Sequence, residues 1–111
     1  MRQEVSAVRK TYDFILWLMP HLAHFSRLHR FTLGDRMEER ALEVLELLVE
    51  ASYTRQKLDL LHRANLRLEQ LRYLIRLAKD MHEINIKQYA FAAQALEVIG
   101  SEIGGWVKQQ A

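Results

Sequence analysis

Four long stretches of this sequence place apolar residues at alternating spacings of three and four, which puts one apolar stripe along an α-helix. The stretches run over about 5–24, 32–55, 58–82 and 85–108. Helices of about 20 residues are each roughly 30 Å long. Because short connections make sequence neighbours antiparallel, the sequence predicts an all-α fold, an up-down-up-down antiparallel four-helix bundle.

The predicted core consists of one stripe from each helix. The first helix contributes Val5, Val8, Tyr12, Ile15, Met19 and Leu22. The second contributes Met37, Ala41, Val44, Leu48 and Ala51. The third contributes Leu61, Ala64, Leu68, Leu71, Ile75 and Ala78. The fourth contributes Ile86, Tyr89, Ala93, Leu96, Gly100, Ile103 and Val107.

The helix boundaries follow from a few polar residues and one proline. Pro20 should kink the first helix or end it early, and residues 25–31 form a connection. Thr32 is a suitable N-cap for the second helix, with Asp35 completing a start that resembles a capping box. Asn85 is a plausible N-cap for the fourth helix.

Length and composition limit the chain to one ordinary domain. The 111 residues are 50% hydrophobic and 27% charged, a globular balance that suits a single domain over 1–111. Without cysteine, a disulfide framework, a thiolate metal site and a cysteine nucleophile are excluded. No apolar run reaches the roughly 20 residues that a membrane span needs. The N-terminal residues lack a secretory signal, so we expect a cytoplasmic protein with no membrane partner.

The third helix carries more apolar surface than one bundle needs. Its surplus residues lie outside the core stripe; they are Leu66, Tyr73, Leu74, Leu77 and Met81. Surplus apolar surface usually marks an interface, so we expect a homo-oligomer. The alternative is that this helix is buried on two sides within its own bundle.

The sequence contains no recognisable catalytic arrangement. No glutamate is followed three residues later by a histidine, as the di-iron bundles require. The serines occupy no nucleophile motif. We therefore expect that the protein is not an enzyme and that it binds no cofactor. One alternative stays open, a metal site at His21, His24 and His29, although ordinary, partly exposed histidines are the favoured interpretation.

The charges separate into rows. The second helix has an acidic row, Glu39, Glu43, Glu46 and Glu50. The third has two basic rows, one of Arg72, Arg76 and Lys79 and one of Arg63 and Arg67, and the first connection adds Arg27 and Arg30. Basic rows suit phosphate backbones, where each neutralised phosphate releases counterions. The alternative is that the acidic and basic rows pair as surface salt bridges.

Several segments together resemble a known family. They are TYDFILWLMPHL (11–22), HRFTLGDR (29–36), LELLVEASYTR (45–55), ANLRLEQLRYLIRLAKD (64–80) and IGSEIGGWVKQ (99–109). Their order and spacing resemble the bacterial four-helix-bundle family that includes the accessory variability determinant (Avd) of diversity-generating retroelements. The same family includes proteins encoded within intervening sequences of large-subunit ribosomal RNA genes.

The resemblance implies a ring-like homopentamer without enzymatic activity. It also implies a basic surface that binds nucleic acid and a reverse transcriptase. The first hypothesis is therefore an oligomeric adaptor for structured RNA, in which charge reversal at Arg72 and Arg76 weakens RNA binding without unfolding the bundle. The second is a protein–protein interaction module whose charged rows serve only solubility and assembly.

Overall fold

The computed structural model describes residues 2–110, and the side chains of residues 6–110. It contains four long helices: α1 (Arg2–Ala23), α2 (Asp35–Ser52), α3 (Leu58–Asp80) and α4 (Ile86–Gln109), and no β-strand within 2–110. Each helix packs against two others, in the pairs α1–α2, α2–α3, α3–α4 and α1–α4, within an envelope of 43 × 23 × 19 Å. The predicted all-α four-helix fold is confirmed. Within residues 2–110, no helix is both long and apolar enough to cross a bilayer.

The core stripes predicted for α2 and α3 are confirmed. Every residue assigned to these two stripes is buried, and Leu47 and Leu60 join them. Burying a leucine-sized side chain contributes about 1.5–3 kcal/mol relative to leaving it exposed. The packing of α2 against α3 therefore follows directly from the sequence pattern.

The stripes predicted for α1 and α4 are wrong in part, because the buried faces are rotated. Tyr12 is 54% exposed, whereas Thr11 and Phe14 are buried. The Thr11 hydroxyl is satisfied by donating to the Ala7 carbonyl at 2.8 Å. In α4, Ile86 is 70% exposed. The buried residues there are Ala92, Leu96, Ile99, Ile103 and Trp106. Val5 lies outside the residues whose side chains are described.

The connection between α1 and α2 differs from the prediction. Pro20 lies within α1, which continues to Ala23. A helical turn (Arg27–His29) follows, and a π-helical turn (Arg30–Gly34) then leads without a break into α2. Thr32 lies inside that π-helical turn, so it is not the N-cap of α2. Short π-helical turns occur frequently at functional sites.

Hydrogen bonds fix the turn between α3 and α4 both at the end of α3 and at the start of α4. His82 adopts a left-handed backbone conformation, with φ of 64°. Its N–H donates to the Lys79 carbonyl and the Glu83 N–H donates to the Ala78 carbonyl, the two bonds of a Schellman motif. Asn85 is the N-cap of α4, as predicted, and it forms a reciprocal capping box with Gln88.

Candidate nucleic-acid interface

One end of the bundle brings two distant parts of the chain together. We call it the connection end, and it comprises residues 24–36 and 76–88. The Glu83 carboxylate accepts hydrogen bonds from the Ser26 N–H at 2.9 Å and from the Ser26 hydroxyl at 2.6 Å. It also accepts one from the His29 Nδ1–H. The α1–α2 connection is therefore anchored to the α3–α4 turn.

The environment of Glu83 keeps it ionised. Its side chain is only 9% exposed. The two hydrogen bonds from Ser26 are the main cause that lowers the pKa of Glu83 from 4.5 to about 2; burial opposes them, and the contact with His29 lowers the pKa further. A carboxylate that accepts several hydrogen bonds is stabilised in its charged form. The sequence alone gave no signal for this contact.

The connection end carries a surplus of positive charge. Its two stretches contain six basic residues, Arg27, Arg30, Arg36, Arg76, Lys79 and Lys87, against three acidic ones, Asp35, Asp80 and Glu83. The whole chain has a net charge of only +2, so the surplus of three positive charges at this end is partly offset by acidic residues elsewhere in the chain. Glu38 and Glu39 begin the acidic side of α2 directly beyond it.

Arg27, Arg30 and Arg76 are the predicted site residues that stay free at this end. All three are exposed, and none forms an ion pair with a described side chain. The Arg30 guanidinium lies 5.4 Å from the centroid of the Phe31 ring. The interpretation of the sequence missed Arg36 and Lys87, which are also exposed, since it considered the basic rows of α3 and the first connection and not the first turns of α2 and α4.

Arg72 instead connects two helices. Its Nη2 donates to the Leu96 carbonyl on α4 at 3.2 Å, and its Nη1 lies 3.7 Å from Glu69. A Cβ atom added at Gly100 would lie 2.6 Å from the Arg72 Nη2. The missing side chain at Gly100 thus makes room for the guanidinium, and Arg72 is only partly available to a ligand.

The other predicted residues of α3 have partners within the chain. Arg67 lies 3.4 Å from Glu43 of α2, a salt bridge between the acidic and basic rows. Lys79 lies 3.5 Å from Asp80, and its ammonium is 4.5 Å from the Tyr89 ring centroid. Arg63, at the opposite end of α3, forms a loose pair with Asp59 at 3.8 Å. The seven predicted residues therefore do not form one continuous patch.

The three histidines of the metal hypothesis are engaged separately. His21 Nδ1 and His24 Nδ1 each lie 2.7 Å from the carbonyl four residues earlier, of Trp17 and Pro20 respectively. His29 contacts Glu83. Within the described part of the chain, no three histidine, aspartate or glutamate residues are grouped so as to hold a metal ion.

The surplus apolar residues of α3 lie on the surface of the bundle. Leu66, Tyr73, Leu77 and Met81 are between 45% and 64% exposed. The alternative of burial within the chain's own bundle is therefore wrong for these four residues. Leu74, Leu77 and Met81 line a groove of about 630 Å³ with Phe31 and Arg36.

The fold and its basic end define the chain as a small helical-bundle protein with exposed charged and apolar surfaces. The model of the bAvd-like family matches residues 5–110, and the chain belongs to that family. The family resemblance of the sequence segments is thereby confirmed. No curated protein matches the chain.

Proposed function

We propose that this protein is a non-catalytic, oligomeric adaptor that binds structured RNA through its connection end and also contacts a reverse transcriptase. The observation that carries the RNA proposal is the exposed set Arg27, Arg30 and Arg76 at the connection end, none of which forms an ion pair with a described side chain. Membership of the bAvd-like family supports a role of this kind. The ring-like homopentamer belongs to the same proposal.

The chemistry of the connection end suits RNA. Arginine donates to phosphate in a bidentate manner, and each contact releases counterions. Phe31 is 66% exposed beside Arg30, and aromatic rings and guanidinium planes stack on unpaired bases. An RNA with both a helix and a loop would offer phosphates and bases to the same surface.

The predicted residues then have different roles. Arg27, Arg30 and Arg76 contact phosphate first, with Arg36 and Lys87 beside them. Lys79 contributes less because Asp80 is its neighbour. Arg63 contributes less because it lies at the opposite end of α3, where it pairs loosely with Asp59. Arg67 and Arg72 mainly hold α3 against α2 and α4, although each keeps a partly exposed guanidinium.

A binding titration tests the RNA role. Fluorescence anisotropy would compare a structured RNA with duplex DNA at about 50 and 200 mM salt, where phosphate contacts give a steep salt dependence. The double variant Arg27→Glu/Arg30→Glu should weaken RNA binding by tenfold or more and reduce the salt slope by about 2.

The matched control places the same charge change at the opposite end. Arg55 and Lys108 are both exposed and distant from the connection end. Arg55→Glu/Lys108→Glu should leave most of the affinity intact. Equal losses in the two double variants would show that only net charge matters, and the connection end would lose its role.

The exposed apolar face of α3 favours a second candidate, a protein–protein interaction module without RNA binding. Absence of binding to RNA and DNA at low salt would support it.

The DNA that flanks the gene separates the retroelement role from the intervening-sequence role. A reverse transcriptase gene with template and variable repeats favours the retroelement role, and a position inside a ribosomal RNA gene favours the intervening-sequence role.

A further inference from the structure

Two large apolar side chains of the α1–α2 connection are exposed next to arginines. Leu28 is 77% exposed and Phe31 is 66% exposed. Arg27 and Arg30 flank them in sequence and are exposed too, and neither forms an ion pair with a described side chain. The Arg30 guanidinium lies 5.4 Å from the centroid of the Phe31 ring. We call these two neighbouring side chains the Arg30–Phe31 platform.

The backbone that carries the platform is held on both sides. Phe25 before it and Gly34 after it are buried, and a Cβ atom added at Gly34 would lie 3.6 Å from the Phe25 side chain. The two ends of the connection therefore pack closely together. The hydrogen bonds from Ser26 to Glu83 fix the start of the same segment. A ligand that contacts Phe31 meets an ordered segment and does not have to order it, which lowers the cost of binding.

An exposed aromatic ring beside a guanidinium suits one kind of ligand in an RNA. Proteins bind unpaired bases by stacking them on aromatic rings and on arginine planes. The paired bases of a duplex are stacked on one another, so their faces cannot reach Phe31. Only a base in a loop, a bulge or a mismatched stretch offers a free face to the platform.

A basic and apolar surface is also typical of proteins that dock on anionic membranes. Asp35 and Thr32 line the same groove as Phe31, and Asp35 is exposed without an ion pair to a described side chain. Anionic headgroups would repel this carboxylate, whereas the exocyclic amino group of a base can donate to it. The polar groups beside the ring therefore favour a nucleobase over an acyl chain.

We propose that the Arg30–Phe31 platform stacks on an unpaired base, so that the protein prefers RNA with a loop or bulge to a fully paired duplex. Arg27 and Arg76 contact phosphates and supply affinity for any RNA, whereas Phe31 supplies the preference, because phosphate contacts carry no information about the bases. The inference rests on the proposed function and names the feature of the RNA that the connection end recognises.

Two RNAs of equal length and charge test this preference. One is a fully paired duplex, and the other is the same duplex with a few central pairs replaced by mismatches. In anisotropy titrations, the unchanged protein should bind the mismatched RNA about tenfold more tightly, and Phe31→Ala should abolish that difference. Phe31→Ala should leave the affinity for the duplex and the salt dependence unchanged, since it removes no charge. Phe31→Trp should keep the preference.

A fluorescent base reports the stacking itself. 2-Aminopurine at an unpaired position loses fluorescence when it stacks, so the unchanged protein should quench it and Phe31→Ala should not. A merely structural role of Phe31 would not produce this difference.

A matched control removes another exposed aromatic ring. Tyr53 is 90% exposed and lies in the turn between α2 and α3, at the opposite end of the bundle, so Tyr53→Ala should change neither the preference nor the quenching. Circular dichroism should show the same helicity in all variants. If Phe31→Ala does not fold, Phe31→Leu replaces it, because leucine keeps an apolar side chain without the ring.

Three results would overturn the inference while the proposed RNA role stands. They are equal affinity of the unchanged protein for the two RNAs, a preference that survives in Phe31→Ala, and quenching that does not depend on Phe31. Binding to phosphatidylserine vesicles that requires Phe31, without a preference for the mismatched RNA, would also overturn it in favour of a membrane. Absence of binding to both RNAs at low salt would overturn the proposed function and this inference together.

Discussion

Glu83 accepts hydrogen bonds from both the backbone N–H and the hydroxyl of Ser26, a residue 57 positions earlier in the chain. These bonds provide an acceptor for the Ser26 N–H and hydroxyl at the start of the helical turn that leads into α2. They also hold that turn against the left-handed turn after α3. The position of Arg27 and Arg30 on the surface therefore depends on a carboxylate in another connection.

Replacing Glu83 should destabilise the bundle. Hydrogen bonds to charged groups contribute about 1.5–3 kcal/mol, so Glu83→Ala should lower the free energy of unfolding by a value in that range. Urea denaturation followed by circular dichroism measures it. Glu46→Ala, at an exposed carboxylate without an ion pair to a described side chain, is the control and should change stability little. Equal effects would mean that the Glu83 contacts add no stability.

The contribution of Glu83 should also depend on pH. Its pKa is lowered from 4.5 in the unfolded chain to about 2 in the folded protein. A lowered folded pKa gives stability that is fully present above the unfolded pKa and is lost as the pH falls through the folded one. The difference in unfolding free energy between the unchanged protein and Glu83→Gln should therefore shrink as the pH falls from about 4.5 to about 2. A difference that does not change over this range would contradict the assignment.

The sequence predicts α2 and α3 better than α1 and α4, for a physical reason. In α2 and α3 the apolar residues that pack in the core form one dominant stripe. In α1, Tyr12 and Leu16 are apolar enough to extend a neighbouring stripe, yet both are more than half exposed. Periodicity cannot choose between adjacent stripes. The position of the neighbouring helix decides which stripe is buried, and that position is a feature of the tertiary structure.

The candidate site was predictable only in its residue types. Sequence spacing identifies Arg76 as an exposed basic residue of α3. It cannot show that the Arg72 guanidinium is held by the Leu96 carbonyl of another helix. The predicted up-down-up-down order already places Arg36 and Lys87 at the same end as Arg27, but it does not show the contact between Ser26 and Glu83 that anchors the connection there. These relationships form across the bundle rather than along one helix.

Charge reversal should separate the roles of Arg72 and Arg76. Arg76 is exposed and free of ion pairs with described side chains, so Arg76→Glu should weaken RNA binding several-fold and leave the unfolding free energy within about 0.5 kcal/mol. Arg72→Glu should lower stability as well, because it removes the bond to α4 and places a carboxylate near Glu69. Anisotropy titrations paired with urea denaturation measure both quantities. If Arg76→Glu binds RNA normally, Arg76 is not part of the interface.

Gly100 and Arg72 should be energetically coupled. Alanine is favoured over glycine within a helix by about 0.8–1 kcal/mol, but a Cβ atom at position 100 would lie 2.6 Å from the Arg72 Nη2. In the unchanged protein, Gly100→Ala should therefore raise the free energy of unfolding by less than this amount, because the Arg72 guanidinium must move and its hydrogen bond to the Leu96 carbonyl is lost. With Arg72→Ala already present, the same substitution should recover the full gain.

Gly104 supplies the control for this comparison, since a Cβ atom there would meet nothing within 4 Å. Gly104→Ala should stabilise the protein by about 1 kcal/mol whether or not Arg72 is present. Urea denaturation of the single and double variants gives the coupling free energy directly. Gly100→Ala could raise the free energy of unfolding as much with arginine at position 72 as with alanine there. The guanidinium would then move without cost, and Arg72 would be as free to contact a phosphate as Arg76.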